Sequence, residues 1–226
     1  MMRRLATGTG AAFLLMLAPA CGAAEKTVSA PAPVVDAPSS AKLEQAVFAG
    51  GCFWGVEGVF SHVKGVQKVV SGYAGPSAPA VDYEMVSGGT TGFAEAVRVT
   101  YDPAVVSYGT LMRIFFSVIT DPTTLNYQGP DSGTQYRTAI FPTTLEQKVM
   151  AQRYIGQLEK AGIWHNPIVT RVEAGAFYPA EAYHQDFLMR NPNHPYIRIN
   201  DLPKISALKR LFPEEYRAKP VLVNAG

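Results

Sequence analysis

Residues 45–60, QAVFAGGCFWGVEGVF, predict a strand that turns through two glycines directly into a helix. After the turn, Val56, Val59 and Phe60 recur at the spacing of one helical face. Cys52 lies at the junction, where the free backbone amides and the dipole of a helix N-terminus favour a thiolate. We therefore expect an accessible cysteine of lowered pKa, and a buried structural cysteine is the alternative interpretation.

The chain that follows alternates strand and helix patterns and predicts one α+β domain over residues 45–200. Apolar and polar residues alternate in 96–101, which is typical of a strand with two distinct faces. The order predicts a two-layer sandwich with a mixed sheet, a ferredoxin-like core and helices packed on the sheet. Residues 201–226 are expected to form a C-terminal surface tail. Further strands are predicted at 66–75 (broken at its glycines), 135–141 and 168–174, and helices at 107–119, 144–162 and 179–190.

The N-terminus has the pattern of an export signal. In residues 1–20 two arginines precede a short apolar run and small residues, a run too short to span a bilayer comfortably. Cys21 follows directly, and it is either the lipid-bearing cysteine of a lipoprotein signal or an incidental residue. Residues 21–44 are rich in Ala, Pro and Ser and predict a flexible tether. We expect an exported protein, in the periplasm or anchored to a membrane facing it through a lipid on Cys21.

The charge balance argues against a nucleic-acid partner. The chain has 20 basic and 18 acidic residues, so removal of Arg3 and Arg4 with residues 1–20 leaves 18 of each. A nearly neutral protein lacks the basic footprint that binds phosphate backbones. The four histidines and two cysteines form no closely spaced set, so no metal site is predicted. A small neutral substrate and a monomeric protein are expected.

Five sequence blocks, in this order, resemble the peptide methionine sulfoxide reductase A family over residues 45–200. The resemblance implies an enzyme, a peptide-methionine (S)-S-oxide reductase, which acts on methionine sulfoxide free or in proteins. The blocks are GGCFWGVEGVF (50–60), GYAG (72–75), YEMVSGGTTGFAEAVRVTYDP (83–103), DPTTLNYQGPDSGTQYRTAIF (121–141) and YHQDFL with the later NP (183–192).

By this resemblance Cys52 is the nucleophile and Glu95 is the acid that protonates the departing oxygen. Glu95 begins a strand among apolar residues, where loss of solvent would favour the protonated carboxyl. A carboxylate at a strand end on the surface is the alternative interpretation of Glu95.

Five further residues are implied in substrate binding. Phe53 and Trp54 would form a slot for the S-methyl group, which fits aromatic rings beside an accessible sulfur. Tyr83 and Tyr136 would direct hydroxyls at the sulfoxide oxygen, and Asp131 would lie near the pocket. Core packing for each tyrosine and a turn position for the aspartate are the alternatives.

The sequence departs from the family pattern in three ways. Phe93 stands where histidine is common, and Pro130 stands where asparagine is common. In addition, no cysteine follows Cys52, whereas many members carry resolving cysteines near the C-terminus. The oxidised Cys52 should therefore be a sulfenic acid that an external thiol reduces, either a thioredoxin-like protein or a small thiol, without a cofactor. Cys21 could act as a resolving cysteine only if it is retained and not acylated.

Two other functions are compatible with parts of the sequence. A cysteine hydrolase would pair Cys52 with His184, which is followed by Asn191 and Asn193 in an order similar to that of papain-like proteases. A binding domain without activity would require Cys52 or Glu95 to be dispensable.

Overall fold

A computed structural model of the protein describes residues 27–36 and 42–223. The predicted signal peptide at 1–20 and the predicted lipid site at Cys21 lie outside the described residues. None of the helices in the described part is long and apolar enough to cross a membrane. The strands are β1 Glu44–Gly50, β2 Val66–Gly75, β3 Ala94–Tyr101, β4 Tyr127–Gln128, β5 Asp131–Ser132, β6 Thr138–Phe141, β7 Arg171–Val172 and β8 Ala176–Pro179. The helices are α1 Phe53–Ser61, α2 Tyr83–Ser87, α3 Tyr108–Ile114, α4 Leu145–Ala161, α5 Phe187–Arg190 and α6 Leu202–Leu211.

The main sheet has six strands in the order β7-β6-β1-β3-β2-β8. Its central strands, β6, β1, β3 and β2, pair with one another in antiparallel orientation, and together with α1 and α3 they form the predicted ferredoxin-like arrangement. β7 pairs with β6 in parallel, so the sheet is mixed. The predicted α+β fold is confirmed.

The helices cover one face of the sheet, as the alternation in β3 indicates. Val97, Val99 and Tyr101 are fully buried in the larger core cluster, which also contains residues of α1, α3, α4 and α6. The opposite face carries small residues, including Ala94 and Ala96 of the same strand. Most of the large buried side chains lie between the sheet and the helices, which is the arrangement of a two-layer sandwich.

The prediction of a flexible tether over 21–44 is wrong for residues 27–36, which pack on the helical layer. Ala30 is 1% exposed, and its amide donates to the Ser117 hydroxyl at 3.0 Å. The Arg113 Nε donates to the Ala30 carbonyl at 2.8 Å. Prolines in this stretch favour an extended backbone whose polar groups remain available to side chains of the core.

The predicted surface tail at 201–226 is also wrong, because α6 belongs to the core. Leu208 is fully buried and Phe212 is 2% exposed. These side chains follow Ile205 at intervals of three and four residues, which is one face of a helix. The nearby proline and lysines obscured this periodicity, and the proline in fact occupies the first turn of α6.

Two further elements near the C-terminus differ from prediction. The helix predicted at 179–190 is reduced to α5, because Asp186 has a left-handed backbone with φ of 54° that interrupts a helix. The strand β8 precedes it and was not predicted. β2 also runs through Gly72 instead of breaking there, since Gly72 pairs with strands on both sides.

Candidate active site

Cys52 lies at the N-cap of α1, where β1 turns into the helix. The turn requires glycine at position 51, because Gly51 has φ of +91° and an added Cβ would lie 2.6 Å from the Cβ of Gln128. The thiol is half-buried. The predicted strand–turn–helix setting of the cysteine is therefore present.

The environment raises the pKa of Cys52 well above its ordinary value, which contradicts the predicted lowering. Burial is the largest cause, followed by the negative charges of Glu95 and Asp201, with a smaller contribution from Asp131. The backbone amide of Trp54 donates a hydrogen bond that lowers the pKa, as expected at a helix N-terminus. Burial and the three carboxyl groups outweigh this amide.

Glu95 lies at the start of β3 and is 3% exposed, so the surface interpretation is wrong. Its Oε2 accepts a hydrogen bond from the Phe53 amide at 3.0 Å, which places the carboxyl at the first turn of α1 beside Cys52. Burial raises the pKa of Glu95 to about 8, and the Phe53 amide opposes this shift. At neutral pH the carboxyl is protonated and is able to donate a proton.

Tyr83 and Tyr136 surround the same two groups. Burial raises the pKa of both tyrosines, and the charges of Glu95 and Cys52 raise it further. Tyr83 begins α2, and its amide donates to the Glu181 carboxylate at 2.9 Å. The two phenols therefore remain protonated and available as hydrogen-bond donors around the thiol.

The segment after α5 contributes two side chains that the sequence did not predict. The Tyr196 hydroxyl donates to Asp131, and its ring meets Trp54 edge-on with centroids 5.9 Å apart. Asp201 lies close to α1 at Gly55, where an added Cβ would overlap the Asp201 Oδ1. Gly55 inside a helix was a signal that another group approaches there, but the sequence did not indicate which one.

Phe53 and Trp54 have different environments. Phe53 is 1% exposed and packs against the rings of Tyr73 and His184, whereas Trp54 is half-buried. The Trp54 ring stacks on Phe187 with centroids 3.8 Å apart. Trp54 therefore presents an accessible aromatic surface next to Cys52, and Phe53 lies in the core beside it.

His184 is engaged by Trp54, whose indole Nε1 donates to the Nδ1 of His184 at 3.2 Å. Since Nδ1 accepts this hydrogen bond, the single N–H proton of the neutral imidazole lies on Nε2. Burial lowers the pKa of the imidazole and so favours this neutral form. A base for Cys52 would need a free ring nitrogen directed at the thiol. The geometry gives no support to the hydrolase alternative.

Two of the three departures from the family pattern, Phe93 and Pro130, occupy different settings. Phe93 is buried and meets the Tyr178 ring edge-on, with centroids 5.7 Å apart. Pro130 is exposed in the turn between β4 and β5, directly before Asp131.

Comparison with known families is decisive, because the family described as "Peptide methionine sulfoxide reductase" matches residues 44–216. The chain belongs to the peptide methionine sulfoxide reductase family. The match includes α6, in agreement with its burial. The predicted family membership and the predicted enzyme class, an oxidoreductase, are confirmed.

Individual proteins agree with this assignment. Peptide methionine sulfoxide reductase MsrA 2 of Mesorhizobium japonicum is 60% identical over 181 residues, which cover 80% of this chain and 93% of that protein. The protein of the same name from Synechocystis sp. is 50% identical over 194 residues, which cover 84% of this chain and 91% of that protein.

Solved structures show the same fold. Reduced Mxr1 of Saccharomyces cerevisiae has a TM-score of 0.60 at 36% identity and covers 71% of this chain and 92% of that one. Methionine sulfoxide reductase A of Corynebacterium diphtheriae has a TM-score of 0.56 at 29% identity and covers 74% of this chain and 89% of that one.

Proposed function

We propose that the protein reduces the S epimer of methionine sulfoxide, free or in proteins, with Cys52 as nucleophile and Glu95 as acid. The observation that carries this proposal is the protonated carboxyl of Glu95, held at the first turn of α1 by the Phe53 amide. Family membership supports the reaction, and the pairing of a thiol with a proton donor supports these roles.

In the proposed step the Cys52 sulfur attacks the sulfoxide sulfur, and Glu95 gives its proton to the oxygen. The sulfur–oxygen bond of the substrate and the sulfur–sulfur bond formed in the attack both break, and the protonated oxygen is transferred to the Cys52 sulfur. A Cys52 sulfenic acid forms, so that the cysteine is oxidised by two electrons and methionine is released. Because burial favours the neutral thiol, Cys52 still carries its proton when the attack begins. This proton passes to the Glu95 carboxylate, which has just lost its own. Tyr83 and Tyr136 donate hydrogen bonds to the oxygen as its negative charge grows.

We propose that an external thiol completes the cycle. Two thiol groups reduce the sulfenic acid to Cys52 and leave as a disulfide, with release of water. Residues 53–226 contain no cysteine, which supports reduction by a thiol from another molecule. The reductant is either a thioredoxin-like protein or a small thiol.

We further propose that the enzyme works outside the cytoplasm as a monomer and repairs oxidised methionine in exported proteins. The basis is the signal pattern at 1–20, with Cys21 as the lipid site. Mass analysis of the protein isolated from cell envelopes tests this. An unprocessed N-terminus would contradict export, and a processed but unlipidated one would contradict only the lipid.

The reaction is tested with both epimers of methionine sulfoxide on wild type, Cys52→Ser and Glu95→Gln. We expect wild type to reduce the S epimer alone and Cys52→Ser to be inactive. Equal activity on the R epimer, or an active Cys52→Ser variant, would overturn the assignment. Amide hydrolysis without sulfoxide reduction would favour the hydrolase.

A further inference from the structure

A second buried carboxyl, Glu57, lies on α1 one turn after Trp54 and has no part in the proposed chemistry. It is 3% exposed, and burial raises its pKa to about 8. Both of its oxygens accept the Asp186 amide at 3.1 Å, and the Ser71 hydroxyl donates to Oε2 at 3.0 Å. A buried carboxyl is costly unless hydrogen bonds satisfy it, so a specific function for these bonds is expected.

The residue next to Asp186 strengthens the same attachment. The Gln185 Oε1 accepts the Ser71 amide at 2.9 Å, and its Nε2 donates to the Ser71 carbonyl at 2.9 Å. Ser71 lies in β2, so residues 185 and 186 are fixed to a central strand and to α1 together. The left-handed backbone of Asp186 directs its amide at Glu57.

The two flanking residues hold the Trp54 ring. His184 accepts the indole proton, and Phe187 stacks on the indole at an interplanar angle of 12°. We call residues 184–187 the Trp54 clamp. Its outer residues, His184 and Phe187, contact the Trp54 ring. Its inner residues, Gln185 and Asp186, are held by hydrogen bonds to β2 and α1. Gly58 allows α5 to approach α1 closely, since an added Cβ would overlap Leu188.

We propose that Glu57 is a positioning residue that anchors the Trp54 clamp to α1 and so fixes the indole that receives the substrate methyl group. The proposal rests on the proposed function for the role of the indole, and on the contacts above for the anchor. Without Glu57, the buried Asp186 amide loses its acceptor and the turn relaxes. The ring then loses its fixed orientation, which weakens substrate binding more than the chemical step at Cys52.

The test uses four variants in a Trp164→Phe background, in which Trp54 is the remaining tryptophan. Glu57→Ala removes all the contacts, Ser71→Ala removes one of them, and Glu57→Gln keeps a neutral side chain of the same shape. Gln147→Ala is the matched control, because this buried side chain donates to the Gln45 carbonyl and lies on α4 away from Trp54.

We expect Glu57→Ala to raise KM for the sulfoxide about tenfold and to change kcat by less than about twofold. Its Trp54 fluorescence should shift to the red and become more accessible to iodide. Ser71→Ala should show smaller changes in the same direction, and Glu57→Gln should resemble wild type. Gln147→Ala should lower the free energy of unfolding without changing KM or the Trp54 fluorescence.

Unchanged KM and fluorescence in Glu57→Ala would overturn the proposal, as would the same KM change in Gln147→Ala. If Glu57→Ala does not fold, unchanged Trp54 fluorescence in Ser71→Ala would overturn the proposal instead. The fluorescence measurements need no turnover, so they test the anchor even if the proposed reaction is wrong.

Discussion

Burial acts on Cys52 and Glu95 in the same direction but with different chemical effects. It raises the pKa of both groups and so favours their neutral forms. For the carboxyl, the neutral form is the proton donor that the proposed reaction needs. For the thiol, the neutral form is the less nucleophilic one. A thiol that ionises only during attack would remain protected from other electrophiles, and the Trp54 amide supports the thiolate at that moment.

At the residue scale, the pH dependence of the first-turnover rate should follow the protonation of Glu95. Its pKa is about 8, so the rate should fall as pH rises through that value and the acid is lost. Glu95→Gln keeps an acceptor for the Phe53 amide but cannot act as an acid, and its rate should be lower by about 10²–10⁴-fold. Single-turnover release of methionine between pH 6 and 10 measures both effects. The same alkaline fall in Glu95→Gln would contradict the assignment.

Glu95 should also make stability depend on pH. Its pKa rises from 4.5 to about 8 on folding, so its contribution is complete below pH 4.5 and is lost as pH rises through about 8. Between these values the free energy of unfolding should fall by about 1.4 kcal/mol per pH unit from this group. Urea unfolding of wild type and Glu95→Gln at several pH values measures the difference. A difference independent of pH would contradict the raised pKa.

At the scale of elements, the sequence predicted those whose pattern is local. The turn at Gly51, the two faces of β3 and the long helix α4 each follow from periodicity within one segment. The interruption at Asp186 and the packing of residues 27–36 depend on partners elsewhere in the chain. No local pattern carries that information, and the same holds for Asp201, which reaches the active site through contact with α1.

The segment 27–36 should stabilise the domain without taking part in catalysis. Its hydrogen bonds to α3, α4 and the π-helical turn Phe115–Ile119 include those at Ala30 and the bond from the Tyr154 hydroxyl to the Pro31 carbonyl. A protein beginning at residue 37 should be less stable by about 2–4 kcal/mol, since each net hydrogen bond contributes about 1 kcal/mol. Urea unfolding measures this loss, with a protein beginning at residue 27 as the control. Equal stability of the two would show that the segment contributes nothing.

At the scale of the whole molecule, the site is assembled from separate parts of the chain. The β1–α1 junction provides Cys52, β3 provides Glu95, and the segment after α5 provides Tyr196 and Asp201. The resemblance to a family identified the first two because each lies in a motif of its own. The last two required the fold, because their positions depend on how the C-terminal part crosses α1.

The packing of residues 27–36 also bears on how the oxidised enzyme is resolved. Cys21 is joined to Thr27 by five residues, and Thr27 is held by a hydrogen bond from Arg210 at 3.0 Å. The freely moving connection expected for a 21–44 tether is therefore absent between Thr27 and Asp36.

We therefore expect oxidation of the full chain to stop at the sulfenic acid. Without a reductant, each chain should release one methionine and then react with a 1,3-dione at Cys52, as mass spectrometry would show, because no second cysteine displaces the hydroxyl. Cys21→Ser should behave identically, and added small thiol should restore turnover in both. A disulfide between Cys21 and Cys52, together with loss of turnover in Cys21→Ser, would instead identify Cys21 as the resolving residue.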